Sequence, residues 1–315
     1  MTLTELKYIV AVAREKHFGH AAEACFVAQP TLSVAIKKLE DELGVTLFER
    51  GGSEISMTPL GVQIVAQAER VLEQTAAIKE IAKQNKDPLV GPFRLGIIYT
   101  IAPYLLPPLV KAMIDRVPQM PLVLQENFTV KLLEQLRQGE IDAAIVALPF
   151  PDQGLLVQPV YDEPFVVAVP KSHPWAKRSS VTTDDLKSET MLLLGNGHCF
   201  RDQVLEVCPE MSRFSTSGDG IARTFEGSSL ETIRHMVASG IGITVLPQAS
   251  VPDMNATDGM LRYIPFVQPG PSRRVVLVWR KSFTRGVAIE EVRQALLSCE
   301  LPGVTMLPNE PSSEA

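Results

Sequence analysis

The sequence is poor in the residue types that build staples and metal centres. Four cysteines, Cys25, Cys199, Cys208 and Cys299, are spread over 315 residues with five histidines. That density excludes a disulfide-held scaffold. No CxxC and no Cys/His cluster with zinc-ligand spacing occurs, so neither a metal nor another cofactor is expected. No apolar run reaches the ~18 residues of a membrane helix. The first segment, MTLTELKYIVAVAREKHF, carries charges inside its apolar stretch, unlike a secretion signal. The expectation is a cytoplasmic chain without a membrane partner. Positive charge is also lacking. The formal net charge is −6, and residues 1–58 set six Lys or Arg against eight Asp or Glu, a net −2. Any polyanion site must therefore come from where the charges lie.

What is present is ordinary core material, 45% hydrophobic and 21% charged, over a length that suits about two domains. Thr2 and Glu5 form a T-x-x-E capping box. A helix follows with Leu6, Ile9, Val10 and Ala13 on one side, and a short second helix spans Phe18 to Phe26. A third runs from Ala28 to Val45, with Pro30 in its first turn and Gly44 at its stop. Leu32, Ile36, Leu39 and Leu43 share one face. Pro30, Thr31, Val34, Lys37 and Lys38 lie on the other, with Ser33 at the edge. Thr46 to Thr58 reads as a hairpin around Gly51-Gly52. Thr58-Pro59 opens a long helix to about Asn85, whose Leu60, Ile64, Ala68, Val71 and Ile78 repeat at coiled-coil spacing. It is read as a dimerisation helix. Asp87 to Pro92 holds two prolines and a glycine and reads as a hinge.

Beyond the hinge, strands and helices alternate. FRLGIIYT, PLVLQENF, AAIVAL, FVVAV, MLLLG and GITVL are strand candidates, which predicts an α/β region with a mostly parallel sheet. The tail from Leu301 is polar and expected to be loose.

Two short helices followed by a helix exposing Pro30, Thr31, Ser33, Lys37 and Lys38 suit a recognition helix in a DNA major groove. Its hydroxyls suit base edges or phosphates, and its lysines phosphates. Taken alone this is also the pattern of any solvated amphipathic helix. The order of helix, helix, Pro-started helix, hairpin and long helix is more specific. The segment AAEACFVAQPTLSVAIKKLEDELGVTLFER closely resembles the signature of LysR-type transcriptional regulators, and QGEIDAAIVALP and VASGIGITVLP look like two further landmarks of that family. The resemblance covers nearly the whole chain. It implies a winged helix-turn-helix over residues 1–58, a linker helix over 59–86, a hinge over 87–92 and a regulatory domain over 93–300. That domain would resemble a periplasmic binding protein, with two α/β subdomains flanking a cleft, about 93–162 with 268–300 and about 163–267. The chain would cross between them near Asp162–Pro164 and Phe266–Pro269. The resemblance also implies a homodimer or homotetramer on double-stranded promoter DNA, with RNA polymerase as a partner. Gln29, Pro30, Thr31 and Ser33 match positions facing DNA, and Arg50 matches a basic residue at the start of the wing. The wing tip, Gly51-Gly52-Ser53-Glu54, departs from relatives that place another cation there.

The second informative stretch is GNGHCFRDQVLEVCP, Gly195 to Pro209. A helix starting near Cys199 would place its thiol at the positive end of a dipole, with His198 and Arg201 close in sequence. All three effects favour the reactive thiolate. Nine helical steps separate Cys199 from Cys208 by about 13 Å, whereas a disulfide needs Cα atoms about 4.4 to 6.8 Å apart. The two cannot pair while that helix stands, so pairing would require it to unwind. Alternatively, both are inert core cysteines. His198-Cys199, Arg201-Asp202 and Cys208, with SHPW and IAPYLLPPL, resemble the OxyR-type hydrogen-peroxide sensors of the LysR family. That resemblance implies that Cys199 reacts with peroxide, that Cys208 resolves it, and that a thiol reductant, glutaredoxin or thioredoxin, restores both.

Thr100, at the end of the first regulatory strand, and Thr129, placed as an N-cap of the helix Val130 to Gln138, are expected to hold peroxide with His198. Thr129 has capping alone as a competing role. Asp202 either orients Arg201 or is simply an acid in a first helical turn. Cys25 reads as core filler, and nothing marks Cys299. The expected function is a peroxide-sensing regulator of antioxidant-defence genes, an activator and not an enzyme. The alternatives are a LysR-type regulator answering a small anionic metabolite, a thiol peroxidase, and a solute-binding protein.

Overall fold

The computed structural model describes residues 1–49, 55–83, 87–151, 154–207, 224–251, 259–308 and 313–314. Arg50, the wing tip and Cys208 lie outside the described residues. The chain divides near Asn85 into two compact units.

In the N-terminal unit, α1 (Leu3–Glu15) starts at the capping box. The Thr2 hydroxyl accepts from the Glu5 N–H at 3.2 Å, and the Glu5 carboxylate accepts from the Thr2 N–H at 2.7 Å. The helix α2 (Phe18–Ala24) is capped by His17 Nδ1 and ends two residues before the expected Phe26, because Phe26 turns to φ +56°. The helix α3 (Gln29–Leu43) carries Pro30 in its first turn and stops at Gly44, whose φ of +67° suits glycine. Leu32, Ile36 and Leu39 are buried in one core with Ile9, Val12 and Phe48. Glu40 at the far end of α3 accepts from the N–H groups of Leu47 (2.7 Å) and Phe48 (3.3 Å). This ties α3 to β1 (Phe48–Glu49), which pairs antiparallel with β2 (Ser56–Met57) as the base of the hairpin.

Thr58 caps the N-terminal end of α4 (Pro59–Lys83), accepting from the Gly61 N–H at 2.9 Å. Its apolar stripe is divided. Val65 and Ala68 are buried in the core shared with α1 and α3, while Leu60 and Ile78 are 44% and 65% exposed. Ala68 is thus not available as a free seam residue, because α4 packs on α1 before running on.

In the C-terminal unit, β3 (Phe93–Ile98), α5 (Ala102–Arg116), β4 (Leu122–Asn127), α6 (Thr129–Gln138) and β5 (Ala143–Ala147) form a run of parallel pairings, β4 and β5 flanking β3. The strand β6 (Leu155–Pro170) then leaves this layer. The second half comprises β7 (Met191–Leu194), α7 (Cys199–Val207), β8 (Thr224–Gly227), α8 (Leu230–Ala238), β9 (Thr244–Pro247) and β10 (Leu261–Pro265). The chain returns through β11 (Ser272–Arg280) to α9 (Gly286–Leu297). Ile97, Leu105, Leu132, Ile145, Leu277 and Val292 belong to one core, and Phe165, Leu192, Phe200, Ile233 and Leu246 to another.

The sheet is not mostly parallel as expected. Among the described strands, only β3 with β4, β3 with β5, and β7 with β8 pair in parallel. The reason is the traffic between the halves. Leu155–Pro164 of β6 pairs with β11, and Phe165–Pro170 with β9 and β10. One strand goes out and the other comes back, so β6 and β11 must run antiparallel. The tail is not wholly loose either. Thr305–Met306 (β12) pairs with Tyr161 and Asp162, because Leu301, Val304 and Met306 pack on the first core. Among the described residues, no helix is long and apolar enough to cross a membrane.

Candidate functional site

The Cys199 site is built where three strand-to-helix turns meet. Thr100 follows β3, Thr129 opens α6 after β4, and Gly197 and His198 lie between β7 and α7, which Cys199 opens. Gly197 makes the last turn possible. Its φ is +95°, and an added Cβ would meet the Phe128 ring at 3.3 Å. These residues line a cavity with about 10 Å³ open to the centre of a water molecule, which is room for about one such small molecule. Thr100, Thr129 and His198 are buried, and Cys199 is half-buried against the first core. The His198 ring stands edge-on to Phe128 at 4.9 Å and to Tyr99 at 5.9 Å.

Thr129 is not the N-cap the sequence suggested. The Phe128 carbonyl accepts the first helical bond, from Leu132 at 3.0 Å, and Thr129 is the first residue of α6. The Thr129 hydroxyl is buried and has no hydrogen-bond partner among the described residues. A buried hydroxyl without a partner costs free energy, and here it lines the cavity beside Cys199.

The cations are arranged differently from their order in sequence. Burial lowers the His198 pKa, opposed by a hydrogen bond with the Ser228 backbone, so the imidazole is neutral near pH 7. Arg201 donates to the Leu194 carbonyl at 2.7 Å and pairs with Glu226 at 2.8 Å. Asp202 is exposed in the first turn of α7 and makes no bond to Arg201 among the described residues. Arg273 is fully buried, and its pKa is raised by Glu163, Tyr161 and Cys199 against the effect of burial. Arg273 donates to the Thr100 hydroxyl at 2.8 Å and carbonyl at 3.1 Å, and pairs with Glu163 at 2.7 Å. Its guanidinium also lies 5.2 Å from the Phe200 ring centre. With the Thr100 oxygen accepting from Arg273, the Thr100 proton is left to point elsewhere. The sequence reading missed Arg273. Its only signal was a pair of arginines opening an otherwise apolar strand.

The helix α7 is held at mid-length by Gln203, which donates to the Leu148 carbonyl at 2.7 Å. Cys299 is buried and donates to the Ala295 carbonyl at 3.2 Å, with its thiol pushed up to about 11 by burial. Cys25 is half-buried, and burial raises its pKa too. Neither touches the Cys199 cavity. Among the described residues no group of His, Cys, Asp and Glu is placed to hold a metal.

On α3, Gln29, Pro30, Thr31, Lys37 and Lys38 are exposed and Ser33 is half-buried, opposite the buried Leu32, Ile36 and Leu39. The face is exposed and mostly polar, with Val34, 68% exposed, among its polar residues, as suits a groove-reading helix.

Residues 3–62 match the family described as bacterial regulatory helix-turn-helix protein, lysR family, and residues 86–298 match the LysR substrate binding domain. The chain belongs to the LysR family. It is a helix-turn-helix transcriptional regulator with the α/β regulatory domain of that family. Among LysR relatives, the DNA-binding transcriptional dual regulator OxyR of Escherichia coli K12 is 40% identical over 94% of this chain and 95% of its own. The hydrogen peroxide-inducible genes activator of Haemophilus influenzae is 40% identical over 89% of this chain and 91% of its own. The solved structure of full-length Pseudomonas aeruginosa OxyR, an aspartate-for-cysteine variant, is 48% identical with a TM-score of 0.67 and covers 99% of both chains. A peroxide-bound cysteine-to-serine mutant of Corynebacterium glutamicum OxyR is 33% identical with a TM-score of 0.61, covering 94% of this chain and 91% of that one.

Proposed function

We propose that this LysR-family regulator is a cytoplasmic hydrogen-peroxide sensor that controls antioxidant-defence genes through Cys199. The observation that carries the reading is the unpartnered Thr129 hydroxyl in a molecule-sized cavity that Cys199 and Thr100 also line. Peroxide fits such a cavity and supplies the missing partner. The Cys199 thiolate attacks one peroxide oxygen. The S–O bond forms as the O–O bond breaks, and the departing hydroxide takes a proton to leave as water. Thr100 and Thr129 orient the peroxide, neutral His198 lines the cavity, and Arg273 holds the Thr100 hydroxyl in place. The Cys208 thiolate then attacks the sulfenic sulfur, giving a disulfide and hydroxide. The helix Cys199–Val207 must unwind for that bond to close, because its rise separates the ends by about 12 Å. Arg201 and Asp202 belong to the element that moves, and Arg201 loses Glu226 or Leu194 when it does. A thiol reductant, glutaredoxin or thioredoxin, resets the pair. Each oxidation is one stoichiometric event, not turnover. Assembled as a homotetramer, the chain reads double-stranded promoter DNA with Gln29, Pro30, Thr31, Ser33, Lys37, Lys38 and Arg50, and acts on RNA polymerase.

A response to a small anionic metabolite draws on a second cavity of about 280 Å³ lined by Arg273, Arg274 and Gln203. Both arginines there already hold carboxylates, Glu163 at 2.7 Å and Asp162 at 2.8 Å, which weakens that reading. The deciding experiment is DNA footprinting with and without peroxide, on wild type and Cys199→Ser, with peptide mapping of the oxidised chain. The expected result is a footprint that changes with peroxide only in the wild type, together with a Cys199–Cys208 linkage. An unchanged peroxide response in Cys199→Ser would overturn the reading.

A further inference from the structure

We propose that Phe26 is a DNA-contacting residue whose ring packs on a thymine C5-methyl group at the edge of the bound site. The proposal rests on the DNA-binding reading of α3. Phe26 is 95% exposed, more than any other large apolar side chain among the described residues. Its backbone is also one that phenylalanine rarely takes, at φ +56°. The hydrogen bonds around it explain why the turn needs that φ. The Val27 N–H donates to the Ala22 carbonyl and the Phe26 N–H to the Glu23 carbonyl, both at 3.0 Å. That is the double closure of a Schellman motif, with Phe26 at the left-handed position where glycine or asparagine is usual. Folding gains nothing from the phenyl ring there. Packing does not use it, the turn prefers a residue without it, and water disfavours it.

Its place supplies the use. The turn leads directly into the exposed start of α3, Gln29, Pro30 and Thr31, whose N-cap Ala28 makes no side-chain capping bond. Cys25, the residue before Phe26 in the chain, feels the charges of Arg14 and Lys7. An exposed ring that leads directly into a groove-reading helix suits a nucleic-acid surface. The thymine methyl is the apolar feature that the DNA major groove offers. The shortage of cations also matters. With six cations over residues 1–58, this unit offers few partners to phosphates, and an apolar contact is a further source of affinity.

The test uses the full-length chain and duplexes that the wild type selects from a randomised pool. The variants are Phe26→Asn, which accepts the left-handed backbone, and Phe26→Gly as a second folding-neutral change. Both are expected to keep or raise the thermal midpoint and to bind the selected duplex more weakly by roughly an order of magnitude, the scale of one lost base contact. The salt dependence of binding should keep its slope, because no cation is removed. Replacing one thymine of the site by deoxyuridine should weaken wild-type binding about four-fold, the worth of one buried methyl, and leave Phe26→Asn unaffected. Wild-type affinity in the variants, or indifference of the wild type to deoxyuridine at every thymine, would overturn the proposal. So would a change of oligomeric state in Phe26→Asn, which would assign the ring to a contact between chains. Failure of the wild type to select any duplex would bring down the DNA-binding reading itself, and the proposal with it.

Discussion

Arg273 donates at 2.8 Å to the hydroxyl of Thr100 from a strand that begins 172 residues later in the chain, and both side chains are buried. The same guanidinium holds Glu163 at 2.7 Å, and Glu163 in turn accepts from the Ala249 N–H at 2.8 Å. One buried ion pair therefore connects Thr100 of the Cys199 cavity, the point where β6 changes partners, and the turn after β9.

Removing Arg273 leaves Glu163 as an uncompensated buried charge. Arg273→Met is expected to lower unfolding stability by roughly 3–5 kcal/mol. The double variant with Glu163→Leu should recover much of that loss, because apolar residues of similar volume often replace a buried pair at little cost. Urea unfolding of the four proteins in this cycle measures the coupling. A double variant whose loss equals the sum of the two single losses would show that the pair itself is unimportant. Arg273→Met should also slow Cys199 oxidation, read by alkylation trapping.

Thr129→Val separates a peroxide-binding hydroxyl from a structural one. The Thr129 hydroxyl is buried without a partner, so the isosteric valine removes an unsatisfied group that costs about 1–3 kcal/mol. Stability is expected to stay level or rise, while oxidation of Cys199 slows by ~100-fold, the effect of losing one well-placed donor at a reacting oxygen. A capping role predicts the reverse pairing, with stability lower by about 1 kcal/mol and an unchanged rate.

What the sequence could convey followed from how local the determinants are. Pro30, Gly44 and the Thr2–Glu5 box act within a turn or two of themselves, so the three N-terminal helices and their exposed face were legible. The start of α7 at Cys199 was legible for the same reason. The antiparallel sheet was not, because alternating strands and helices suggest parallel pairing and nothing local marks β6 as a 16-residue strand shared by two cores. Arg273 was illegible because its partners Thr100 and Glu163 lie 173 and 110 residues away. The bonds of Arg201 were illegible for the same reason: its side chain runs back to the Leu194 carbonyl and across to Glu226, 25 residues on in the chain.

Gly197 controls how Cys199 is presented. At φ +95° an alanine is strained, and its Cβ would press on the Phe128 ring. Gly197→Ala is expected to cost about 1–2 kcal/mol, borne by the conformation in which α7 is docked. Undocked conformations escape that cost, so the variant should show raised hydrogen exchange across residues 199–207 before any peroxide is added. Wild-type exchange in that helix would show that the turn adapts without disturbing α7.

The neutral state of His198 gives a pH dependence with a definite sign. Burial lowers its pKa in the folded chain from an ordinary value of about 6.5. As pH falls through that value, the unfolded chain takes up a proton that the folded chain still refuses. Stability therefore rises with pH wherever the unfolded state binds more protons. The contribution is complete above about pH 6.5 and declines as the solution is acidified toward the lower folded value. His198→Phe keeps a ring against Phe128 and Tyr99, which lie 4.9 and 5.9 Å from the imidazole, but cannot titrate. Urea midpoints taken between pH 5 and 7.5 should therefore fall less steeply on acidification in the variant than in the wild type. Parallel profiles would mean that His198 titrates alike in both states and that burial leaves it free to charge. In that event an imidazolium would line the Cys199 cavity in mildly acidic solution.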